Sequence, residues 1–367
     1  MRLITALLFA VVVGVSTTQA EEGKKSTSIE LYNGVVFYDG YAKSIAEPVP
    51  EGLIRLKSTL YSTRLGADKL ALLRDSLTLE VTIGALCDNY DRIGSVHLAM
   101  VPKGADRYDP DKVERIELGR FITPFMNKNK QPDKVPYRFN IDHIVPILKD
   151  VSLLANNDFW VEFQVFGSTG AGRKEVAGCK GRMDTFQGWM SLTTDSGEAA
   201  NNFDVFLPLS FQQHLNNYKQ GASDQLGVSK KTFEIKVPVD THNAQLVLIT
   251  SNHGANSGGE EYNRRQHLVY FDGSLVHEYT PGRKSCEPFR QFNTQGNGIY
   301  GRYMKTPKNW QSFSNWCPGD RIKIRIIKLG EVKAGQHRLT LDVPEAVFKD
   351  KQGYIPVSLY FQGSKKH

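Results

Sequence analysis

Apolar and polar residues alternate along short segments that recur through most of the chain. Such alternation, rich in β-branched and aromatic residues, is typical of strands that bury one face. The pattern covers residues 76–86, 95–101, 159–166, 233–239, 244–251, 267–273, 321–329 and 337–343. Pro, Gly, Asn and Asp separate these segments, as turns require. Many short strands at close spacing predict an all-β chain of antiparallel sandwiches, not a parallel α/β sheet.

Helical patterns are few. Residues 67–76 predict one helix, and residues 141–151 predict a short one that Pro146 interrupts. The stretch 193–202 is polar and built of small residues, and strand-like runs resume after it. We therefore predict two domains, at residues 28–195 and 200–363, which suits a chain of this length.

The first 20 residues have the pattern of a secretory signal peptide. Arg2 precedes an apolar run, and Thr18, Gln19 and Ala20 form a small-residue cleavage site. The run is too short for a membrane anchor, and no later segment reaches the roughly 18 apolar residues of a transmembrane helix. We predict an exported protein without a membrane anchor, secreted or periplasmic.

The charge of the chain is mildly basic. Lys and Arg number 46 against 39 Asp and Glu, which gives a formal net charge of +7. The excess is spread along the chain, without a block of basic residues interleaved with aromatic ones. This distribution argues against nucleic acid as a partner and favours a role in solubility.

Four cysteines are present, namely Cys87, Cys179, Cys286 and Cys317. An even number in an exported chain predicts disulfides, and three pairings are possible. Cys87–Cys179 with Cys286–Cys317 is the pairing that keeps each bridge within one domain. A C-x-x-C spacing is absent from the sequence, which excludes a zinc ribbon.

Two motifs invite a functional interpretation that their context does not favour. GNGIYG, residues 296–301, matches a dinucleotide-binding pattern by letter, but Pro307 stands where the required helix would run. A flexible loop is the better interpretation. His242, His253, His267 and His277 could suggest a metal site, but they lack the close ligand spacing of zinc or copper sites. We predict no metal and no other cofactor.

Two polar stretches are ambiguous by themselves. CDNYDR, residues 87–92, follows an apolar run and would ordinarily be a turn in which Asp88 accepts backbone N–H bonds. Residues 251–273 begin with a glycine-rich stretch and then bring together Glu260, Glu261, Arg264 and Arg265. Such a cluster is ordinarily a solvated face with internal ion pairs.

Three separated motifs together resemble the bacterial peptide-N-glycosidase F family. They are residues 87–92 with ELGRFITPF at 117–125, the second-half run that contains His253, Gly254, Glu261, Tyr262, Arg265 and His267, and NWCPGD at 315–320. Cys286 stands where the partner of the last motif's cysteine would be. The resemblance implies two eight-stranded antiparallel jelly rolls packed side by side, with the active site between them. It also implies metal-independent hydrolysis of the amide that joins asparagine to the innermost N-acetylglucosamine.

The resemblance assigns roles by matching position. Asp91 takes the place of the essential acid that positions or activates water, Arg92 would support it and contact substrate, and Glu261 takes the place of the second acid. Asp88 would cap the turn. The implied substrate-binding set is Tyr90, Ile122, Gln164, Phe166, Ser251, Asn252 and Tyr262.

This chain departs from the family pattern at several of these positions. Gln164 and Phe166 replace a carboxylate and a tryptophan, Asn252 replaces a tryptophan, and Tyr90 and Tyr262 replace tryptophans that line the cleft. An arginine before the W-C-P-G loop has no counterpart, because residues 311–314 read QSFS. Glutamine can bond a sugar hydroxyl but cannot take a proton, so glycan specificity is expected to differ.

We therefore predict a hydrolase that removes N-linked glycans from glycoproteins or glycopeptides and acts as a monomer. One alternative is a binding protein of the same fold, which Gln164 and the missing arginine favour and the retained Asp91, Arg92 and Glu261 oppose. A second alternative is an enzyme like the copper monooxygenases, which share the double jelly roll. That enzyme would need a set of His and Met ligands that this sequence does not supply.

Overall fold

The computed structural model describes residues 26–196, 203–295 and 314–366. The predicted signal peptide and the loop at residues 296–301 lie outside these ranges, as do residues 311–313 and most of the predicted domain boundary. The strands of the first half are β1 Thr27–Tyr38, β2 Ile54–Lys57, β3 Leu60–Arg64, β4 Ser76–Ala85, β5 Ile93–Pro102, β6 Glu114–Ile122, β7 Lys134–Asn140, β8 Asn157–Val165 and β9 Asp184–Asp195. Those of the second half are β10 Val205–Leu215, β11 Lys230–Val237, β12 Thr241–Thr250, β13 His267–Phe271, β14 Ser274–Tyr279, β15 Arg325–Val332, β16 Gly335–Asp342 and β17 Ile355–Lys365.

The first nine strands form two sheets that pack face to face, which we call the N-terminal sandwich. One sheet has the order β1-β9-β4-β7 and the other β2-β3-β8-β5-β6, and every pairing in them is antiparallel. Alternate residues of the two inner faces, such as Phe37, Leu79 and Phe163, meet in one buried cluster. The described part contains one strand more than the eight expected, because the short β2 extends the edge of the second sheet.

The remaining strands form a C-terminal sandwich of eight described strands. Its sheets have the orders β10-β17-β12-β15 and β11-β16-β13-β14, again antiparallel throughout. Leu246, Leu339 and Phe361 are part of its own buried cluster. The predicted all-β class with two antiparallel sandwiches is confirmed. We propose residues 28–195 and 200–363 as the limits of the two domains.

The described helices are short. They are α1 Ala67–Leu70, α2 Val145–Leu148, α3 Val151–Asn156 and α4 Gly172–Glu175, with 3-10 turns at Pro110–Lys112, Asp142–Ile144, Glu287–Phe292 and Lys349–Lys351. The helix predicted over residues 67–76 ends at Leu70, because strand pairing already begins at Ser76. Pro146 lies in the first turn of α2, where its missing N–H costs nothing, so it starts a helix instead of interrupting one. Within the described ranges, no helix is long and apolar enough to cross a bilayer.

Both predicted disulfides are present. Cys87–Cys179 ties the end of β4 to the segment before β9, and Cys286–Cys317 closes a loop of the second half. Each bridge stays within one sandwich. The cysteines are fully buried, and the first pair packs with Val176 while the second joins a cluster that includes Ile122 and Trp316. Each bridge therefore anchors a loop close to the contact between the sandwiches.

The two sandwiches contact each other through β6. Its residue Ile122 donates to Asp320 and accepts from Gly319, and Ile322 donates to Arg120, so a loop of the second half pairs along the strand. Arg120 and Glu117 form a fully buried ion pair whose arginine also bonds Ser251 Oγ at 2.8 Å. The ion pair lies within β6, and the bonds of Arg120 to Ser251 and to the Pro356 carbonyl cross the interface. They fix the orientation of the sandwiches, since a buried charge that lost its partners would be uncompensated. This contact positions the cavity between the two sandwiches.

Candidate functional site

A cavity of about 760 Å³ opens between the sandwiches, beside β6. Both halves of the chain line it, which is the arrangement expected of a ligand site at a domain interface. The lining residues are Tyr41, Tyr90, Asp91, Arg92, Ile93, Ser95, Ile122, Phe125, Gln164, Phe166, Gln212, His253, Ala255, Glu261, Tyr262, Trp316 and Tyr354. Carboxylates from both sandwiches thus share one cavity with several aromatic rings.

The turn at residues 87–92 presents Asp91 to the cavity. Asp88 is fully buried and accepts from the backbone N–H groups of Tyr90 at 3.0 Å and Ser168 at 2.6 Å. These bonds replace strand pairing at the end of β4 and hold the chain in a tight turn. Asp91 is thereby placed on the opposite side of the turn, among the cavity-lining residues. The predicted capping role of Asp88 is confirmed.

Arg92 is held by Asp88. Its Nε donates to Asp88 Oδ2 at 2.7 Å, and its guanidinium lies 5.4 Å from the centre of the Tyr90 ring and 5.9 Å from that of Phe166. Arg92 therefore borders the cavity as a positive charge that is already paired. It acts on Asp91 through its field, since no ion pair joins Arg92 to Asp91 in the described structure.

The second carboxylate comes from the loop before β13. Gly254 has φ +145° and approaches Gly353 so closely that an added Cβ would lie 3.1 Å from its Cα. The backbone carbonyl of Glu261 accepts from Asn315 N at 3.0 Å and Ser314 Oγ at 2.7 Å. These bonds fix the main chain of Glu261, and its side chain is left facing the cavity with a long 3.5 Å contact to Gly254 N–H.

The surroundings of the two carboxylates favour their protonated forms. Burial and the Glu261 charge raise the pKa of Asp91 to about 7, against the opposing effect of Arg92. Burial also raises the pKa of Glu261, although bonds from Gly254 and Tyr262 oppose the increase. Asp91 can therefore exchange a proton with a ligand near neutral pH, and Glu261 adds a second carboxyl group with a raised pKa to the same cavity.

Aromatic side chains form much of the cavity wall. Tyr90 meets Phe125 edge to face at 5.9 Å. Trp316 donates its indole N–H to the Asn252 carbonyl at 3.1 Å, and Tyr354 stacks on His214 at 3.9 Å. Rings held in this way offer flat apolar faces, which suit the apolar faces of sugars.

The predicted binding residues divide into two groups. Tyr90, Ile122, Gln164, Phe166 and Tyr262 line the cavity. Ser251 and Asn252 do not, because both are buried behind the wall: Ser251 bonds Arg120 and His253, and Asn252 is fully enclosed. The expectation that these two side chains contact substrate directly is not supported by their positions.

Several cavity residues were not predicted from sequence, namely Tyr41, Ser95, Phe125, Gln212, Trp316 and Tyr354. Tyr354 reaches the site because it pairs with His253, about a hundred positions earlier in the chain. No local sequence pattern predicts a pairing between residues so far apart in the chain. Trp316 was the one of these residues that the sequence could have indicated. It precedes Cys317 in NWCPGD, and an aromatic residue beside a disulfide is held rigidly.

His253 and His267, two of the histidines that suggested a metal, have separate surroundings. His253 bonds Ser251 Oγ at 2.7 Å, and burial with the Arg120 charge lowers its pKa to about 3. His267 is fully buried, stacks on Tyr279 at 4.7 Å and bonds the Arg265 carbonyl. Within the described ranges, no three His, Cys, Asp or Glu side chains cluster as metal ligands would.

Comparison with known protein families agrees with this architecture. A model described as peptide-N-glycosidase F, N terminal, matches residues 28–176, and its C-terminal counterpart matches residues 218–362. The chain belongs to the peptide-N-glycosidase F family. The two matches cover most of each sandwich, without β9 and β10, and they include Asp91 in the first and Glu261 in the second.

Solved structures of peptide-N-glycosidase F proteins share the fold. PNGF-II superposes with a TM-score of 0.68 at 20% identity, over 93% of this chain and 66% of that one. PNGase F from Flavobacterium meningosepticum gives 0.61 at 13% identity, over 93% and 97%. This chain thus spans just under two thirds of the length of PNGF-II. No curated protein sequence matches significantly.

Proposed function

We propose that the protein is a peptide-N4-(N-acetyl-β-glucosaminyl)asparagine amidase. The observation that carries the proposal is the meeting of Asp91 and Glu261 in one cavity, each with a raised pKa. Neither carboxylate forms an ion pair within the described residues. An acid kept without a counter-ion is unfavourable for stability and suits proton transfer. Membership of the peptide-N-glycosidase F family supports the same reaction.

In the proposed reaction, Asp91 acts as the general base. Its carboxylate takes a proton from water as the water oxygen attacks the carbonyl carbon of the glycosylated asparagine. The tetrahedral intermediate then breaks its C–N bond, and the leaving nitrogen receives that proton from the Asp91 carboxyl group, whose pKa the Glu261 charge helps to raise. The products are an aspartate in the peptide and a glycosylamine, which loses ammonia in water. No electron donor or metal is required for these steps.

The remaining lining residues are assigned to binding and charge stabilisation. Arg92 lies close enough to favour the negative charge that develops on the carbonyl oxygen, although Asp88 already neutralises part of its field. Tyr90, Phe166 and Tyr262 offer ring faces to the sugar. Gln164 offers an amide for a sugar hydroxyl, where a family carboxylate would also accept a proton.

We further propose that the protein acts on N-glycosylated proteins or glycopeptides outside the cytoplasm, as a monomer. Two disulfides support an oxidising compartment, secreted or periplasmic. The predicted signal peptide at residues 1–20 would provide the export.

A second candidate function is glycan binding without cleavage, and Gln164 is the observation that favours it. To separate the two, purified protein is incubated with an N-glycopeptide in the presence of EDTA, and the peptide is weighed by mass spectrometry. The amidase predicts loss of the whole glycan and conversion of asparagine to aspartate. Binding without release, across high-mannose, complex and core-fucosylated glycans, would establish the second candidate. Release that occurs only without EDTA would instead indicate a metal enzyme.

A further inference from the structure

A second set of chemically coupled side chains lies in the wall of the same cavity. Ser95 Oγ is 2.7 Å from His97 Nε2, and His97 Nδ1 is 2.9 Å from Glu162 Oε2. Ser95 lines the cavity, whereas His97 and Glu162 are fully buried behind it. A hydroxyl bonded to an imidazole whose other nitrogen bonds a carboxylate is the arrangement of a nucleophile, a base and an orienting acid.

Strand geometry explains why the three side chains meet. Ser95 and His97 are two positions apart on β5, so they point to the same face of the sheet. The antiparallel register pairs His97 with Glu162 and Ser95 with Gln164 on the neighbouring β8. Cross-strand partners lie within reach of each other. The two hydrogen bonds therefore connect Glu162, in the interior, through His97 to Ser95 at the cavity.

The carboxylate is charged and the imidazole has a defined tautomer. Burial raises the pKa of Glu162, but bonds from His97, Arg115 and Tyr108 outweigh it, and the net pKa is lowered. Ionised Glu162 can only accept, so the Nδ1 of His97 carries a proton, and in the neutral tautomer the second nitrogen, Nε2, carries none. Its Nε2 is then a free base that faces the Ser95 hydroxyl.

The C-terminal sandwich adds an amide donor to this group. Gln212, on β10, has φ 48° at an irregularity of the strand, an uncommon conformation for a residue other than glycine. The bend directs its side chain across the interface, where Nε2 lies 3.3 Å from Ser95 Oγ and 3.2 Å from His97 Nε2. A side-chain amide beside a nucleophile can donate to the oxyanion formed when that nucleophile attacks a carbonyl.

We propose that Ser95, His97 and Glu162 form a second hydrolytic site, which cleaves small carboxylic esters carried on sugar hydroxyls. The sugar as alcohol component rests on the proposed function of the cavity. Ser95 is only 2% exposed, so the acyl group that we assign to this site is a small one such as acetyl. Gln212 serves as the oxyanion donor.

The reaction balances without a co-reactant other than water. Ser95 Oγ bonds to the acyl carbon while its proton passes to His97 Nε2. The C–O bond to the sugar breaks, and the sugar oxygen takes the proton from His97. Water then attacks the acyl-serine, passes one proton to His97, and releases the carboxylic acid as Ser95 recovers its proton.

A small fluorophosphonate, dimethyl fluorophosphate, tests the nucleophile directly. We expect mass spectrometry to find the label on Ser95 and loss of labelling in Ser95→Ala. Labelling should fall about 100-fold in His97→Asn, once thermal unfolding shows that the variant is folded. Ser251 is the control for non-specific labelling, because it bonds His253 at the same spacing but lies behind the cavity wall. The rate of para-nitrophenyl acetate hydrolysis should fall in the same variants that lose labelling.

Access is checked separately with Ser95→Cys. If iodoacetamide alkylates that thiol while wild-type Ser95 resists the fluorophosphonate, the oxygen is reachable but not activated, and the proposal is wrong. If neither reagent reacts, the site is closed to acyl groups and the proposal is also wrong. The amidase is measured on the same sample from the mass of a glycopeptide, so each proposal can fail without the other.

Discussion

Each sandwich has two acidic residues close together in sequence, one that lines the cavity and one that is buried away from it. Asp88 is paired with Arg92 and caps a turn, whereas Asp91, three positions later, faces the cavity. Glu260 is fully buried, and it pairs with Arg265 at 3.1 Å and accepts from Val347 N at 2.8 Å. Its neighbour Glu261 has no arginine partner among the described residues and accepts a long 3.5 Å bond from Gly254 N–H. The ion-paired carboxylates, Asp88 and Glu260, hold their loops in place. Asp91 and Glu261, which lack an ion-pair partner, remain available for proton transfer.

The strongest test of this contrast is Asp91→Asn. We expect deglycosylation of a glycopeptide to fall about 100- to 10,000-fold, the range that a general base contributes, while glycan binding and folding are retained. Asp106→Asn is the matched control, because the Asp106 side chain is 93% exposed and remote from the cavity lining. Full activity in Asp91→Asn would assign the base to another residue.

The second test compares neighbouring glutamates through stability. Glu260→Gln leaves Arg265 without its carboxylate and weakens two bonds to backbone N–H groups, at Val347 and Phe348. We expect a loss of about 2 to 4 kcal/mol in the free energy of unfolding. Glu261→Gln should cause no loss and should stabilise near neutral pH, since it removes a buried charge whose pKa folding raises. Denaturant unfolding of both variants checks the difference, and equal losses would remove the distinction.

The unpaired Asp91 also predicts how stability depends on pH. Its pKa is about 7 in the folded chain and near 3.8 when unfolded, so the folded state binds more protons between these values. Stability contributed by protonated Asp91 is therefore lost as pH rises from about 4 to about 7. Asp91→Asn lacks this loss and should exceed wild type by roughly 1 to 3 kcal/mol above pH 7. Thermal unfolding of both proteins at pH 4 and pH 8 measures this. A stability difference between Asp91→Asn and wild type that does not grow with pH would contradict the prediction.

The smallest expected effect is that of Gln164→Glu. A third carboxyl group in the cavity adds a like charge, which should raise the pKa of Asp91 further. The acidic limb of the activity profile should then move to higher pH, with KM changed less than about tenfold, as for one altered polar contact. Unchanged kinetics would mean that Gln164 does not contact substrate.

The sequence was sufficient for the fold class because alternation reports directly which strand faces are buried. It also supplied Asp91 and Glu261, since their motifs resemble the peptide-N-glycosidase F pattern. Sequence could not show that Ser251 faces the interface while Glu261 faces the cavity. Loop residues have no regular periodicity from which the direction of a side chain could be predicted. Gln212 depends on one left-handed backbone conformation in a strand without glycine, which no sequence signal indicates.

Side-chain pairing within the N-terminal sandwich was also beyond sequence reasoning. Arg92 was expected to act on substrate, yet its closest partner is Asp88, because four positions along this turn bring the two side chains together. The burial of Glu162 with His97 depends on the register of β5 against β8. Register is set by the whole sheet and its core face, not by the residues that it brings together.

Carbon NMR titration of the Asp91 carboxyl group measures the central claim without requiring activity. The resonance is assigned by its absence from Asp91→Asn. We predict a midpoint of about 7 in the wild-type protein, and a lower midpoint in Glu261→Gln, because the neighbouring negative charge is removed. A wild-type midpoint near the ordinary value of 3.8, or one that Glu261→Gln leaves unchanged, would contradict the account.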